Sequence, residues 1–155
     1  MAVEIRQARP DEYSAAKQLV EEYVASLGVD LGFQSIEGEL ADFPGAYERP
    51  EGCLLLALVD DEPVGCVAIK KLDGPVCELK RLYVRPEARR GGTGRKLTEA
   101  ALDAALGLGY RRVRLDTFPS MGQAQALYRS LGFREIEPYR FNPVPGTSFM
   151  ERELS

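Results

Sequence analysis

The chain has 155 residues, 45% of them hydrophobic and 28% charged, with a formal net charge of −4. That size and balance fit one globular domain, taken here as residues 1–155, and exclude a disordered chain. It has no histidine, which excludes a Ser–His–Asp or Cys–His pair, a histidine general base and histidine-ligated zinc.

In chain order, Val3–Ala8 alternates and predicts a first strand. Pro10, Asp11 and Glu12 open a helix that carries apolar residues from Tyr13 to Val24 and ends at Gly28. A short helix is expected over Ser35–Phe43, with Ser35 as its cap. The apolar run Cys53–Val59, then Val64–Leu72 and Val76–Val84, are separated by turn residues and predict an antiparallel meander. A helix follows from about Gly92 to Leu108, with Leu97, Ala101, Ala104, Ala105 and Leu108 on one face. Then come a strand at Arg112–Thr117, a helix at Met121–Leu131, a strand at Phe133–Pro138 and a last strand at Ser148–Leu154. The expected fold class is mixed α/β (α+β), a mostly antiparallel sheet with at least one parallel pairing made by the β-α-β unit.

Cys53, Cys66 and Cys77 form no CxxC pair and are expected as reduced thiols buried in strands of a cytoplasmic protein. No signal peptide is expected, and the run Cys53–Val59 is too short to cross a bilayer, so no membrane partner is expected. Residues 1–62 carry 4 basic and 14 acidic side chains, whereas residues 63–155 carry 16 and 10. The basic surplus peaks between Lys80 and Lys96, but an overall pI near 5.0 argues against nucleic acid.

The most informative stretch runs from Leu82 to Leu97: a strand enters the turn Arg89-Arg90-Gly91-Gly92-Thr93-Gly94-Arg95, which opens directly into an amphipathic helix. Glycines let a ligand approach the backbone, and the first amides of a helix lack internal acceptors, so this is an anion site suited to a pyrophosphate. It is not a Walker A loop, because Arg95 separates Gly94 from Lys96. Nor is it a dinucleotide fingerprint, whose third glycine would fall at Leu97.

The hexapeptide Arg89–Gly94 fits Gln/Arg-x-x-Gly-x-Gly/Ala, and Ala124–Phe133 fits Ala-x-x-x-Tyr-x-x-x-Gly-Phe. With Glu78–Val84 before them, these segments resemble the acyl-CoA-dependent GNAT superfamily of N-acetyltransferases. The resemblance implies a six- to seven-stranded sheet flanked by about four helices, with acetyl-CoA as cosubstrate and no metal. It further implies that acyl-CoA enters an opening between the fourth and fifth strands. There the amides of Arg90 to Arg95 would hold the pyrophosphate, beside the Arg89 charge, and the backbone of Leu82 and Val84 would pair with the pantetheine arm. Tyr83 would point to the opposite face.

By the same resemblance Tyr128 is the general acid toward the departing thiolate; the alternative is a tyrosine packed in the core. Glu78 is the candidate general base, its alternative an exposed strand residue paired with Lys80 or Arg81; Asp116 is a second candidate. Met121 stands where many members carry an asparagine. The expected function is transfer of an acetyl group to the primary amine of a small molecule or peptide in a ternary complex. A covalent route through Cys77 is the weaker option, and a homodimer is left open. A non-catalytic acyl-CoA-binding or regulatory module is the competing reading. Residues 25–47 and 139–148 are expected to shape the acceptor side, where Glu37, Glu39 and Asp42 would favour a cationic amine.

Overall fold

The computed structural model describes residues 2–28, 31–32 and 35–155. Among these residues seven strands form a single sheet in the order β1-β2-β3-β4-β5-β7-β6. They are β1 (Glu4–Gln7), β2 (Cys53–Val59), β3 (Glu62–Asp73), β4 (Val76–Val84), β5 (Arg112–Thr117), β6 (Arg134–Ile136) and β7 (Ser148–Glu153). The helices are α1 (Tyr13–Leu27), α2 (Ile36–Ala41), α3 (Thr93–Gly107) and α4 (Gly122–Ser130). Every pairing is antiparallel except β4 with β5, which α3 joins as a crossover.

β2 is apolar throughout because both its faces are covered. Cys53, Leu55 and Ala57 pack in the layer of Leu97, Ala101 and Ala105 from α3, whereas Leu54, Leu56 and Leu58 pack with Ala16, Leu19 and Val20 from α1. Burying each such leucine contributes about 2 kcal/mol. α1 ends where the sequence suggests, at Gly28 in the left-handed conformation (φ 65°), which glycine adopts without a Cβ penalty.

Two local expectations fail. Ser35 stands before α2 at φ 55° and makes no side-chain capping bond, because a left-handed cap turns its hydroxyl away from the first helical amides. The expected strand Phe133–Pro138 shrinks to Arg134–Ile136, the stretch that β7 can pair. The acceptor-side segment 25–47 includes Val29, Asp30, Phe33 and Gln34, which lie outside the described residues.

One irregularity positions the site. Ala68 pairs with Lys80 and Cys66 with Tyr83, so Val67 alone faces both Arg81 and Leu82 in a β-bulge, with Arg81 at φ 62°. Before the bulge Cys77 and Leu79 face the α3 layer; after it Leu82 and Val84 do, and Tyr83 joins the α1 layer. A bulge bends its strand. β4 and β5 pair only over Val76–Glu78 and Arg112–Arg114, and beyond that point the two strands part.

Candidate active site

The parting strands open a cleft of about 710 Å³. One wall is Leu82, Tyr83, Val84, Arg89 and Gly94; the other is the start of α4, from Ser120 to Ala124, with Leu127. The Arg85 amide donates to the Val64 carbonyl of β3 at 2.8 Å. By strand alternation the Val84 N–H and C=O therefore point away from β3, over the cleft. The Val84 carbonyl accepts a 2.9 Å bond from Arg89 Nε, and the Arg89 guanidinium lies 5.9 Å from the Tyr83 ring centroid.

The glycine turn takes the predicted form. Gly91 and Gly92 have φ of 91° and 76°, conformations that a side chain rarely adopts. Lys96 is the first amide of α3 to find an acceptor, the Gly92 carbonyl at 3.0 Å. Among the described residues the amides from Arg90 to Arg95 have no backbone acceptor. With the positive end of α3 they are free to receive an anion.

The side chains of the turn are placed unevenly. Leu82, Val84, Arg89 and Gly94 line the cleft, whereas Arg90, Gly91, Gly92, Thr93 and Arg95 do not. Thr93 is buried, and Arg95 donates to Ser130 Oγ at 2.9 Å.

A second, much smaller cavity adjoins the first and shares Tyr23, Leu82 and Met121 with it. Its wall brings together Tyr128, Asp116, Lys80 and Arg81. The Tyr128 ring packs against Phe133, centroids 5.6 Å apart, so this tyrosine both packs the core and faces a cavity. Burial pushes its phenol well above the ordinary value, with Tyr23 and Asp116 adding to the effect. Asp116 Oδ2 accepts a 3.1 Å bond from Asn142 Nδ2. Burial, reinforced by the neighbouring Arg81, pushes the Lys80 ammonium down to about 8.

Glu78 is elsewhere. Its side chain is fully buried rather than exposed, and it does not line the cavity with Tyr128. Its Oε2 accepts a 2.7 Å bond from the Tyr139 hydroxyl and a second from Arg140, while Lys80 Nζ lies 4.0 Å from Oε1. Arg81, the other expected partner, forms a two-pronged ion pair with Glu39 at 2.8 and 2.9 Å. That pairing also engages one of the three carboxylates expected to attract a cationic acceptor; Glu37 and Asp42 remain exposed.

The sequence singled out neither Tyr139 nor Arg140 by residue, although it set the segment 139–148 on the acceptor side. Both lie in the irregular segment between β6 and β7, and only the fold brings them to Glu78. Cys77 lies in the α3 layer, on the opposite face of β4 from Glu78, and burial pushes its thiol up to about 12. Met121 lines both cavities, and Ser120 and Gly122 flank it in the cleft.

Known proteins show the same arrangement of elements. Residues 15–133 match the model of the acetyltransferase (GNAT) family. An uncharacterised N-acetyltransferase of Schizosaccharomyces pombe is 40% identical over 148 residues, which is 94% of this chain and 91% of that one. A GNAT-family acetyltransferase of Staphylococcus aureus superposes with a TM-score of 0.80 at 23% identity, over 99% of this chain and all of the other. An N-acetyltransferase of Thermoplasma acidophilum, solved in complex with coenzyme A, superposes with a TM-score of 0.73 at 17% identity over 99% of each chain. This chain belongs to the GNAT acetyltransferase family and is an N-acetyltransferase, an enzyme of acyl-CoA-dependent acetyl transfer.

Proposed function

We propose that residues 1–155 act as one acetyltransferase domain that moves an acetyl group from acetyl-CoA directly to the primary amine of a small molecule or peptide. The observation that carries this reading is continuity. The cleft has free helix amides at one end and, through the shared Tyr23, Leu82 and Met121, opens beside Tyr128 and Asp116 at the other.

The site fits acetyl-CoA. The amides from Arg90 to Arg95 would hold the pyrophosphate, and the main chain of Leu82 and Val84, that of Val84 turned outward, would pair with the pantetheine arm as an added strand. When bound, acetyl-CoA supplies the acetyl group as an activated thioester. Tyr128 gives its phenolic proton toward the sulfur as negative charge develops there. Burial raises its pKa and so favours the protonated phenol. Asp116 accepts the proton that the attacking amine loses, directly or through one water. It is preferred to Glu78, whose Oε2 is taken by Tyr139 and Arg140. A covalent acyl-enzyme is disfavoured because Cys77 lines neither cavity and burial raises its thiol, which opposes the thiolate. Three free, buried cysteines support a reducing, cytoplasmic setting.

The test is a panel of primary amines incubated with enzyme and acetyl-CoA, read as free thiol. Amine-dependent thiol release is expected. Tight acetyl-CoA binding with no amine-dependent release would favour the non-catalytic acyl-CoA module instead.

A further inference from the structure

We propose that the amine this enzyme accepts belongs to a free α-amino acid, whose carboxylate is received by Lys80 while its nitrogen meets Asp116. The inference rests on the acetyl-transfer reading and names its acceptor. The sheet register carries it. β4 and β5 pair up to Glu78 and Arg114, so Lys80 and Asp116 hold the next matching positions on that face, where the strands no longer pair. Cys77, Leu79, Val113 and Leu115 belong to the α3 layer, which leaves Lys80 and Asp116 on the opposite face. Both line the small cavity with Tyr128. The gap between the strands is thus flanked by one cation and one anion, beside the residue that protonates the sulfur.

A zwitterion fits that pair. Lys80, Arg81 and Arg140 stand against Glu78, Glu39 and Asp116, three charges of each sign. An ammonium brought in alone adds a positive excess to this largely buried group, and an amino acid adds none. Burial and the neighbouring Arg81 disfavour the Lys80 charge, and an arriving carboxylate relieves both. An ammonium has three donors, so Lys80 can serve that carboxylate while it faces Glu78. The acids of the acceptor segment, Glu37, Glu39 and Asp42, do not line this cavity. A peptide amine is the poorer fit, since it offers Lys80 an amide carbonyl in place of the carboxylate. In the transfer itself the nitrogen first sheds one proton to water on leaving the ammonium state. It then forms the C–N bond as the thioester C–S bond breaks and passes a second proton to Asp116. The sulfur takes the Tyr128 proton, and both residues regain their starting states through water.

Thiol release from acetyl-CoA tests this with a panel of α-amino acids, each beside its carboxamide and beside the amine lacking the carboxylate. For the best amino acid, kcat/KM should exceed that of both counterparts by at least about tenfold. In Lys80→Met that ratio should collapse to within a few-fold of one, and Lys80→Arg, which keeps the charge, should restore part of it. A preferred acceptor without a carboxylate, or a preference for the acid that survives Lys80→Met, would overturn the proposal. Should Lys80→Met fail to fold, the wild-type ratios decide alone. If no amine releases thiol, the acetyl-transfer reading itself falls. If the amines without a carboxylate react best, that reading stands and only the amino-acid acceptor falls.

Discussion

Tyr139 donates its hydroxyl to Glu78 across 2.7 Å, tying the segment between β6 and β7 to the last residue at which β4 and β5 still pair. Asn142 makes a parallel tie to Asp116 on β5. The segment is thus fastened to both strands on either side of the point where they part, and the two carboxylates have separate neighbours.

Glu78→Gln should therefore act on stability before catalysis. It leaves an acceptor for Tyr139 but removes the charge that Arg140 and Lys80 face. Breaking a buried pair costs about 3–5 kcal/mol, and Arg140, a quarter exposed, can recover some hydration, so about 2–3 kcal/mol is expected. Urea unfolding measures that loss, while turnover should stay within a few-fold of wild type. Asp116→Asn should do the reverse, lowering turnover by about 10²-fold or more with little change in the unfolding midpoint.

Tyr128→Phe keeps the packing on Phe133 and removes only the hydroxyl. Turnover should fall by about 10²-fold with acetyl-CoA affinity nearly unchanged. A phenol with an ordinary value would ionise near pH 10 and give the wild-type profile an alkaline limb. Burial moves that ionisation upward, so the proton donor survives and wild-type turnover should show no loss from Tyr128 up to about pH 10. A tyrosine-dependent fall below that pH would contradict the assignment.

Gly94 is the clean place to test main-chain approach. A Cβ there would meet Leu127 Cδ2 at 3.8 Å, an ordinary contact, whereas any side chain at Gly92 is strained by φ 76°. Gly94→Val should fold and lose coenzyme A affinity by at least about tenfold, measured by calorimetry. Gly92→Val should lose affinity and also about 1–2 kcal/mol of stability.

Glu39 should govern part of the acid response. Burial raises its carboxyl, but hydrogen bonds and charge from Arg81 outweigh that and hold it below the ordinary range. With the folded value depressed, the stabilisation is complete above the unfolded value near 4.5 and disappears as pH falls through the folded one. Glu39→Gln should lower stability at pH 7 by about 3 kcal/mol and flatten the acid limb of the melting profile.

The elements of this fold were legible where local pattern decides them. β2, β4 and β5 begin and end where turn residues bracket them, and α3 follows its apolar face. The glycine turn was legible because its geometry is local: consecutive residues supply the positive φ values and the free amides. Glu78 was not, because its partners lie 61 and 62 residues away and nothing around Glu78 announces Tyr139 or Arg140. Lys80 hides for a related reason, since its perturbation comes from burial by the sheet and its covering layers. The bulge is invisible too, as Val76–Val84 reads as one unbroken strand while the register slips at Arg81.

That slip sets what the sheet can do. Because Lys80 and Tyr83 already pair with Ala68 and Cys66, a chain lacking Arg81 alone could keep every remaining β4 residue opposite its present β3 neighbour. Such a strand would be straighter and could run on beside β5 beyond Glu78. The main-chain groups of Val84 that now face the cleft would be closed within the protein, leaving a complete sheet with no mouth. Arg81 is strained at φ 62° and clamped by Glu39, and through it the fold keeps a seam deliberately unsewn.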